Sequence, residues 1–307
     1  MELTEISDKE FGSLFPAAHV YNSTEFAELN ADKAETVRYL AFADSKPRFG
    51  IILGERGGIL RSPFSAPFGS FTMRGKQNLQ NMEAALQLLK EYARREDKGL
   101  RIALPPLVYD ESQLSKWVSV FLRAGFSQTV DLNYYIRLSN VPDYMKIIDR
   151  SARNHLNRSL KENFNLVKMN TADRLEVGRA YEVIRRNREE RGYPLRMTFE
   201  QVWQTVSRVV RADFFVLEHE GCDVAAAQIF HVAPGIAQVI YWGDIRQYSA
   251  LRPMNYLTYA VARHYYGENL RLLDIGPSTE DGIPNYGLCE FKEDTGCDVS
   301  PKYWFSI

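Results

Sequence analysis

Residues 212–276 read ADFFVLEHEGCDVAAAQIFHVAPGIAQVIYWGDIRQYSALRPMNYLTYAVARHYYGENLRLLDIG, and this stretch decides the fold. Apolar runs at 213–219, 224–232 and 236–242 are separated by turn-forming residues and predict a meander of three strands. Pro253 predicts the start of a helix, after which the run LRLLDI predicts another strand. A helix that begins beside a sheet offers free backbone N–H groups, which commonly hold the phosphates of an acyl carrier.

The composition is that of a globular protein with no excess of either charge. The chain has 307 residues, of which 45% are hydrophobic and 25% charged, and a formal net charge of −1. A protein that follows a long polyanion usually carries a basic excess, so we expect no long nucleic acid as the main partner. The N-terminal sequence MELTE lacks the features of an export signal, and no apolar run approaches ~20 residues, so we expect a cytoplasmic protein without a transmembrane segment. The three cysteines lack metal-ligand spacing and suit a reducing compartment, so we expect no metal.

The first half of the sequence predicts a mixture of helices and strands. Apolar periodicity and turn residues predict helices at 24–29, 77–96 and 112–124, and strands at 36–43, 49–53, 100–104 and 126–138.

The segment 61–70, RSPFSAPFGS, predicts an ordered loop, because two prolines exclude a helix or a central strand. Phe64 and Phe68 need burial, so the loop is either a hydrophobic plug over the sheet or the wall of a substrate cleft.

The second half begins with a predicted helix at 144–162 that carries a basic face. Arg150, Arg153 and Lys161 lie on that face of an otherwise neutral protein. Such a face is either solvated surface or a site for phosphate or carboxylate, whose oxygens match arginine forks.

Two further helices are predicted in the second half before the strand meander. One spans 175–191, and the other starts at a capping box formed by Thr198 and Gln201. Each half thus contains helices, then strands, then a helix that leads into a further strand. We therefore predict an α/β (α+β) protein with two similar domains, residues 1–140 and 141–307, and a cleft between them.

Several motifs that would identify other enzyme classes are absent. The sequence has no GxGxxG, Walker, HExxH, CxxC or GxSxG pattern, and its five histidines are scattered. Nucleotide hydrolysis, zinc proteolysis and serine hydrolysis are therefore poorly supported.

Six segments of the second half form a recognisable set, namely 150–159 (RSARNHLNRS), 223–230 (DVAAAQIF), 241–243 (YWG), 248–257 (YSALRPMNYL), 274–276 (DIG) and 286–292 (YGLCEFK). In order and spacing they resemble the FemAB-like branch of the GNAT acyltransferase superfamily. The resemblance implies tandem GNAT-like domains, each a mixed, mainly antiparallel sheet flanked by helices. It also implies transfer of an acyl or aminoacyl group to an amine, with acyl-CoA as the expected donor.

The resemblance and the local chemistry together nominate the site residues. Lys292 is the candidate to hold a donor phosphate or the oxyanion, and Asp274 the candidate to orient the amine or take its proton. Each also has a structural interpretation, Lys292 as a surface lysine and Asp274 as a turn cap. The expected donor-binding residues are Arg252, Asn255, Tyr241, Trp242 and Phe291, and the expected acceptor-binding residues are Arg153, Arg150, Tyr286, Phe64 and Phe68.

Two departures from the branch keep other functions open. The aromatic-glycine pair expected after the lysine is Thr295-Gly296 here, and no glycine-rich turn precedes Pro253. The alternatives are an aminoacyl-tRNA-dependent ligase of cell-wall peptides and a binding protein that keeps the fold without catalysis. The expected partner is a small-molecule or peptide amine, with a cell-wall precursor as one candidate.

Overall fold

The computed structural model describes residues 1–307. Its α-helices are α1 (Asp8–Leu14), α2 (Thr24–Leu29), α3 (Leu79–Arg95), α4 (Glu111–Arg123), α5 (Tyr144–Ile147), α6 (Arg150–Ser159), α7 (Arg174–Arg191), α8 (Phe199–Arg208), α9 (Pro253–Gly267) and α10 (Tyr286–Asp294). Its strands are β1 (Glu2–Ile6), β2 (Thr36–Ala43), β3 (Pro47–Arg56), β4 (Ile59–Ser62), β5 (Thr72–Met73), β6 (Gly99–Ala103), β7 (Ser127–Arg137), β8 (Asn165–Lys168), β9 (Ala212–His219), β10 (Cys222–Ala233), β11 (Ile236–Asp244), β12 (Leu272–Pro277), β13 (Thr279–Glu280), β14 (Ile283–Pro284) and β15 (Asp298–Ser306).

The chain divides into two compact units, each assembled from both halves of the sequence. The first unit contains Met1–Leu132, Thr279–Ile283 and Ser300–Ile307, and the second contains Asn133–Ser278 and Pro284–Val299.

In the first unit, strands β1 to β4 form an antiparallel meander, β4 pairs in parallel with β6, and β6 pairs antiparallel with β15. Helices α3 and α4 contribute to a core, Trp117 of α4 among its residues, that also contains apolar residues of the sheet, including Phe49 and Phe305. Phe71 stacks on Trp117 with ring centroids 4.3 Å apart, which adds aromatic contact to the area buried.

The second unit repeats this order. Strands β8 to β11 form an antiparallel meander. Helix α9 connects β11 to β12, which pairs in parallel with β11 and antiparallel with the end of β7. The prediction of a mixed, mainly antiparallel sheet flanked by helices is confirmed, and so is the tandem arrangement.

A buried carboxylate links three strands of the second unit to α9. Asp213 on β9 accepts hydrogen bonds from His231 (2.6 Å), Tyr265 (2.9 Å) and Lys168 (2.9 Å). Burial alone would raise the pKa of Asp213, but these three donors hold it well below its usual range.

Most predicted elements are present, and one predicted helix is divided. The expected helix at 144–162 is two helices, α5 and α6, because Ile148 is extended and Asp149 caps α6 by accepting the Ser151 N–H at 2.7 Å. The short strand β8 was not predicted. No helix of the chain combines the length and apolar character that a bilayer span requires.

Candidate active site

Strands β11 and β12 separate part-way along their length. Their pairing ends at Gln238 and Asp274, although β11 continues to Asp244 and β12 to Pro277. The registers on the outer sides of both strands shift at the same level, at Ile240 in β11 and at Ile275 in β12. Beyond Gln238 and Asp274 the facing backbone groups of β11 and β12 no longer pair with each other, so the opening can accept a bound molecule between the strands.

Asp274 lies at the point where β11 and β12 separate, which we call the vertex of the opening. The carboxylate is fully buried and accepts hydrogen bonds from Asn133 (2.7 Å), Gln238 (2.8 Å) and the Gly276 N–H (2.8 Å). Asp274 thus connects strands β7, β11 and β12. It does not line the cavity described below.

Lys292 on α10 contacts residues 275–277 of β12. These residues lie beyond the last one paired with β11, and we call them the arm of β12. Its ammonium donates to the carbonyl oxygens of Ile275 (3.1 Å), Gly276 (2.8 Å) and Pro277 (3.2 Å), and its side chain is 3% exposed. Burial lowers the pKa of Lys292 to about 8. The ammonium therefore remains charged at neutral pH and satisfies carbonyl groups of β12 beyond the vertex.

A cavity of about 430 Å³ opens at the N-terminus of α9. Arg252, Pro253 and Asn255 form its wall at the helix start, and no side chain caps this terminus. Arg252 has a left-handed backbone (φ 62°) and an exposed side chain. Pro253 has no N–H, and the N–H groups of Asn255 and Tyr256 donate to the Arg252 carbonyl, so the positive end of the helix dipole and the cation of Arg252 make this end of the cavity attractive to phosphate.

A second wall of the cavity is built from an ion pair that the sequence did not reveal. Asp244 is buried and accepts from Arg191 (2.6 Å) and from the Ser249 hydroxyl (2.7 Å). Asn187 donates to the Asp244 carbonyl at 2.7 Å, and a Cβ on Gly243 would overlap the Asn187 side chain. Gly243 is thus required by this close approach, which fixes the wall.

His155 of α6 reaches the same cavity and was also missed by the sequence reasoning. Burial lowers its pKa, the nearby cation of Arg252 acts in the same direction, and the carboxylate of Asp294 opposes them. The imidazole is therefore neutral near pH 7, and no hydrogen bond within the protein contributes to its pKa. His155 differs from the other histidines in lying beside α9 and α10 at the cavity, and both helices are distant from it in sequence.

The predicted aromatic pair on β11 lies next to an unusual arginine. The Arg188 guanidinium lies over the rings of Tyr241 (5.2 Å) and Tyr193 (5.8 Å), and its Nε is buried without a hydrogen-bond partner. Burial lowers the pKa of Arg188. Trp242 packs on the core of the second unit, and neither aromatic lines the cavity.

The remaining predicted residues have diverse surroundings. Phe291 lines the cavity with Arg252 and Asn255. Arg153 donates to the Ile148 carbonyl at 3.2 Å, Arg150 is exposed, and Tyr286 is 80% exposed.

The two phenylalanines of the 61–70 loop lie in the first unit. Phe68 is fully buried and meets Tyr21 and Tyr109 edge-on, while Phe64 is half-buried over Gly54. These contacts favour the plug over the cleft wall, for Phe68 above all.

Comparison with known proteins supports the fold and identifies a domain within the second half of the sequence. Residues 150–293 match the family model described as acetyltransferase (GNAT) domain. The crystal structure of FemX superimposes with a TM-score of 0.70 at 13% identity, covering 99% of this chain and 97% of that one. The C-terminal domain of a putative lysylphosphatidylglycerol synthetase from Agrobacterium fabrum gives 0.62 at 12% identity, covering 98% and 92%. A tandem GNAT protein from the clavulanic acid biosynthesis pathway gives 0.55 at 13% identity, covering 100% and 98%. No curated protein matches the sequence.

The segment 150–293 is therefore a GNAT domain. The resemblance to the FemAB-like branch of that superfamily is confirmed, and the chain has the tandem fold seen in these structures. No three histidine, cysteine or acidic side chains lie close enough together to hold a metal ion.

Proposed function

We propose that the protein is an N-acyltransferase that moves an acyl group from an acyl carrier, acyl-CoA foremost, to an amine. The observation that carries the proposal is the uncapped N-terminus of α9, which opens into the cavity beside Arg252 and Asn255. We place the reaction in the cytoplasm, with a small molecule or a peptide such as a cell-wall precursor as the acceptor.

The donor's phosphate groups bind at the start of α9 in this proposal. The Met254 N–H at the start of the helix donates to the phosphate, and Arg252 supplies a permanent charge. Phe291, on the opposite wall, packs against the apolar part of the donor. The acyl carbonyl then enters the opening between β11 and β12, where a backbone N–H stabilises the oxyanion.

In this mechanism Lys292 and Asp274 act on the position of the reacting carbonyl. Asp274 sets where the two strands part, and Lys292 holds the arm of β12 that forms one side of the opening. A displacement of this arm by ~1 Å would misalign the carbonyl and slow transfer.

We propose His155 as the group that takes the proton from the attacking amine. The amine nitrogen forms a bond to the acyl carbon, the bond from that carbon to the carrier breaks, and the imidazole receives the nitrogen's proton and passes it to the leaving thiolate or alkoxide. Asp294 stabilises the imidazolium between the two steps, because its carboxylate favours the charged form. Arg188, which no acid compensates, is suited to an acidic group of the acceptor.

Aminoacyl transfer is the second candidate. A lysylphosphatidylglycerol synthetase is among the similar structures, and the turn before Pro253 lacks the glycines that usually surround the pyrophosphate of coenzyme A. A protein that binds these ligands without turning them over is the third.

A thermal-shift and product assay separates the three candidates. The purified protein is tested with acyl-CoA, with aminoacyl-tRNA and with each donor plus peptidoglycan precursors, since a ligand of the folded state raises the melting temperature. Acyl-CoA should stabilise the protein and yield an acylated amine. Product with aminoacyl-tRNA alone would establish the second candidate, and stabilisation without product the third.

Replacement of Arg252 tests the donor site. The Arg252→Gln variant should bind acyl-CoA roughly 10- to 100-fold more weakly, because a hydrogen bond to a charged group contributes about 1.5–3 kcal/mol. Arg246→Gln, an exposed arginine in the preceding turn, is the matched control and should bind normally. Equal affinities for the two variants would contradict the proposed docking of phosphate at α9.

A further inference from the structure

Three arginines share one face of the sheet in the first unit. Arg61 on β4 and Arg101 on β6 are direct partners in the parallel register, so their side chains leave the sheet on the same side. Arg61 is also in register with Gly54 of β3, and Arg56 follows two residues later on the same face. We call Arg56, Arg61 and Arg101 the basic patch.

Like charges directly opposite each other on neighbouring strands are destabilising. This repulsion acts on Arg61. Burial makes the largest contribution to lowering the pKa of Arg61, the cations of Arg101 and Arg56 lower it further, and no acidic group raises it. Its Nε is inaccessible to solvent and has no hydrogen-bond partner. The partly buried guanidinium of Arg61 thus lacks the anion that such a group ordinarily needs.

Some other arginines of the chain are compensated, although Arg188 is not. Arg38 pairs with Glu55 at 3.1 Å and Glu96 at 3.0 Å, and Arg179 pairs with Glu218 and Asp223. Arg61 differs from these two in having no acid beside it.

Arg101 is held in place by its neighbours. Its guanidinium lies over the Trp304 ring at 4.8 Å and contacts Asp281 at 3.2 Å. The Asp281 side chain is 72% exposed, so this ion pair is weak and leaves Arg101 available to a ligand. Stacking on Trp304 fixes the plane of the fork, which reduces the entropy lost when an oxyanion binds.

We infer that the basic patch binds a phosphate group of a ligand. Two adjacent guanidinium groups match the charge of a dianionic phosphate, whereas a carboxylate would leave one positive charge without compensation. The three arginines, Trp304 and Asp281 all belong to the first unit, so this site is separate from the α9 cavity and does not depend on the proposed acyl transfer.

The test is anion-dependent stability in the Arg252→Gln background, so that phosphate bound at α9 contributes less. Inorganic phosphate, pyrophosphate and acetate are compared at equal ionic strength by thermal shift and by isothermal titration. Phosphate and pyrophosphate should raise the melting temperature, and acetate should not.

Arg61→Gln should raise the melting temperature without ligand, because repulsion is removed, and should weaken phosphate binding at least tenfold. Arg48→Gln, which replaces a partly exposed arginine paired with Asp44 at 3.0 Å, is the matched control and should keep the response to phosphate. If Arg61→Gln does not fold, Arg61→Lys keeps the charge, loses the fork and should still bind phosphate more weakly than the parent. An undiminished phosphate response in the folded Arg61 variant, or an equal response to acetate, would overturn the inference.

Discussion

Replacement of Lys292 by methionine tests whether β12 depends on this side chain. The variant leaves three carbonyl groups without the ammonium that now donates to them at 2.8–3.2 Å. Each charged hydrogen bond contributes about 1.5–3 kcal/mol, and the cost of burying the ammonium offsets part of that sum. We expect a net loss of about 3 kcal/mol and a fall in melting temperature of roughly 5 °C. Transfer should fall ~100-fold or more, because the arm that forms one side of the opening for the acyl carbonyl is released.

The pH dependence of stability provides a second measurement on the same variant. Burial lowers the pKa of Lys292 to about 8 from the ordinary 10.5. Between these values the unfolded chain binds more protons than the folded protein, so this lysine makes stability rise with pH. Denaturant unfolding from about pH 8 to 10 should show a rise for the wild type that Lys292→Met lacks.

Lys90→Met is the matched control, because Lys90 donates to a single backbone carbonyl, that of Ala124 at 2.6 Å. It should lose less stability than Lys292→Met and keep the wild-type pH dependence. An unchanged melting temperature of Lys292→Met would refute the role of this lysine in holding β12. Unchanged transfer by the folded variant would remove Lys292 from the mechanism.

Three further substitutions probe the two units. Asp213→Asn should cost roughly 3 kcal/mol at pH 7 by breaking a buried network that includes His231, and the difference should shrink as pH falls below about 4, where the unfolded carboxyl is protonated; urea unfolding at several pH values measures this. Gly243→Ala should destabilise by about 1–3 kcal/mol and reduce transfer, because its Cβ would displace Asn187; calorimetry and the product assay report the two effects. Phe68→Ala should cost about 3–5 kcal/mol with no specific change in the KM for the acceptor, as expected of a plug and not of a cleft wall.

Local sequence signals predicted most elements of the fold. Pro253 at the start of α9 and the capping box of Thr198 and Gln201 are both present, because caps and turns depend on residues a few positions apart. The division of the helix at Asp149 was missed, since an apolar stripe continues across the break and conceals it. The four-residue strand β8 owes its existence to pairing with β9, which a local pattern does not contain.

The candidate site was only partly predictable, and α10 shows why. Phe291 and Lys292 are adjacent in sequence, yet consecutive side chains on a helix point about 100° apart. Phe291 therefore lines the cavity while Lys292 reaches back to β12. Sequence order placed both near the site, but the direction of each was decided by how α10 packs. The same holds for His155, whose significance depends on two other helices.

The left-handed backbone of Arg252 has a consequence for protein engineering. A non-glycine residue in this conformation costs about 1–3 kcal/mol, and glycine at the same position would be relieved of it. A library selected only for heat resistance is thus expected to enrich glycine at position 252 and to lose the cation beside the cavity. Stabilising campaigns on this scaffold should hold that codon constant, or they will recover sturdier proteins with weakened affinity for the donor.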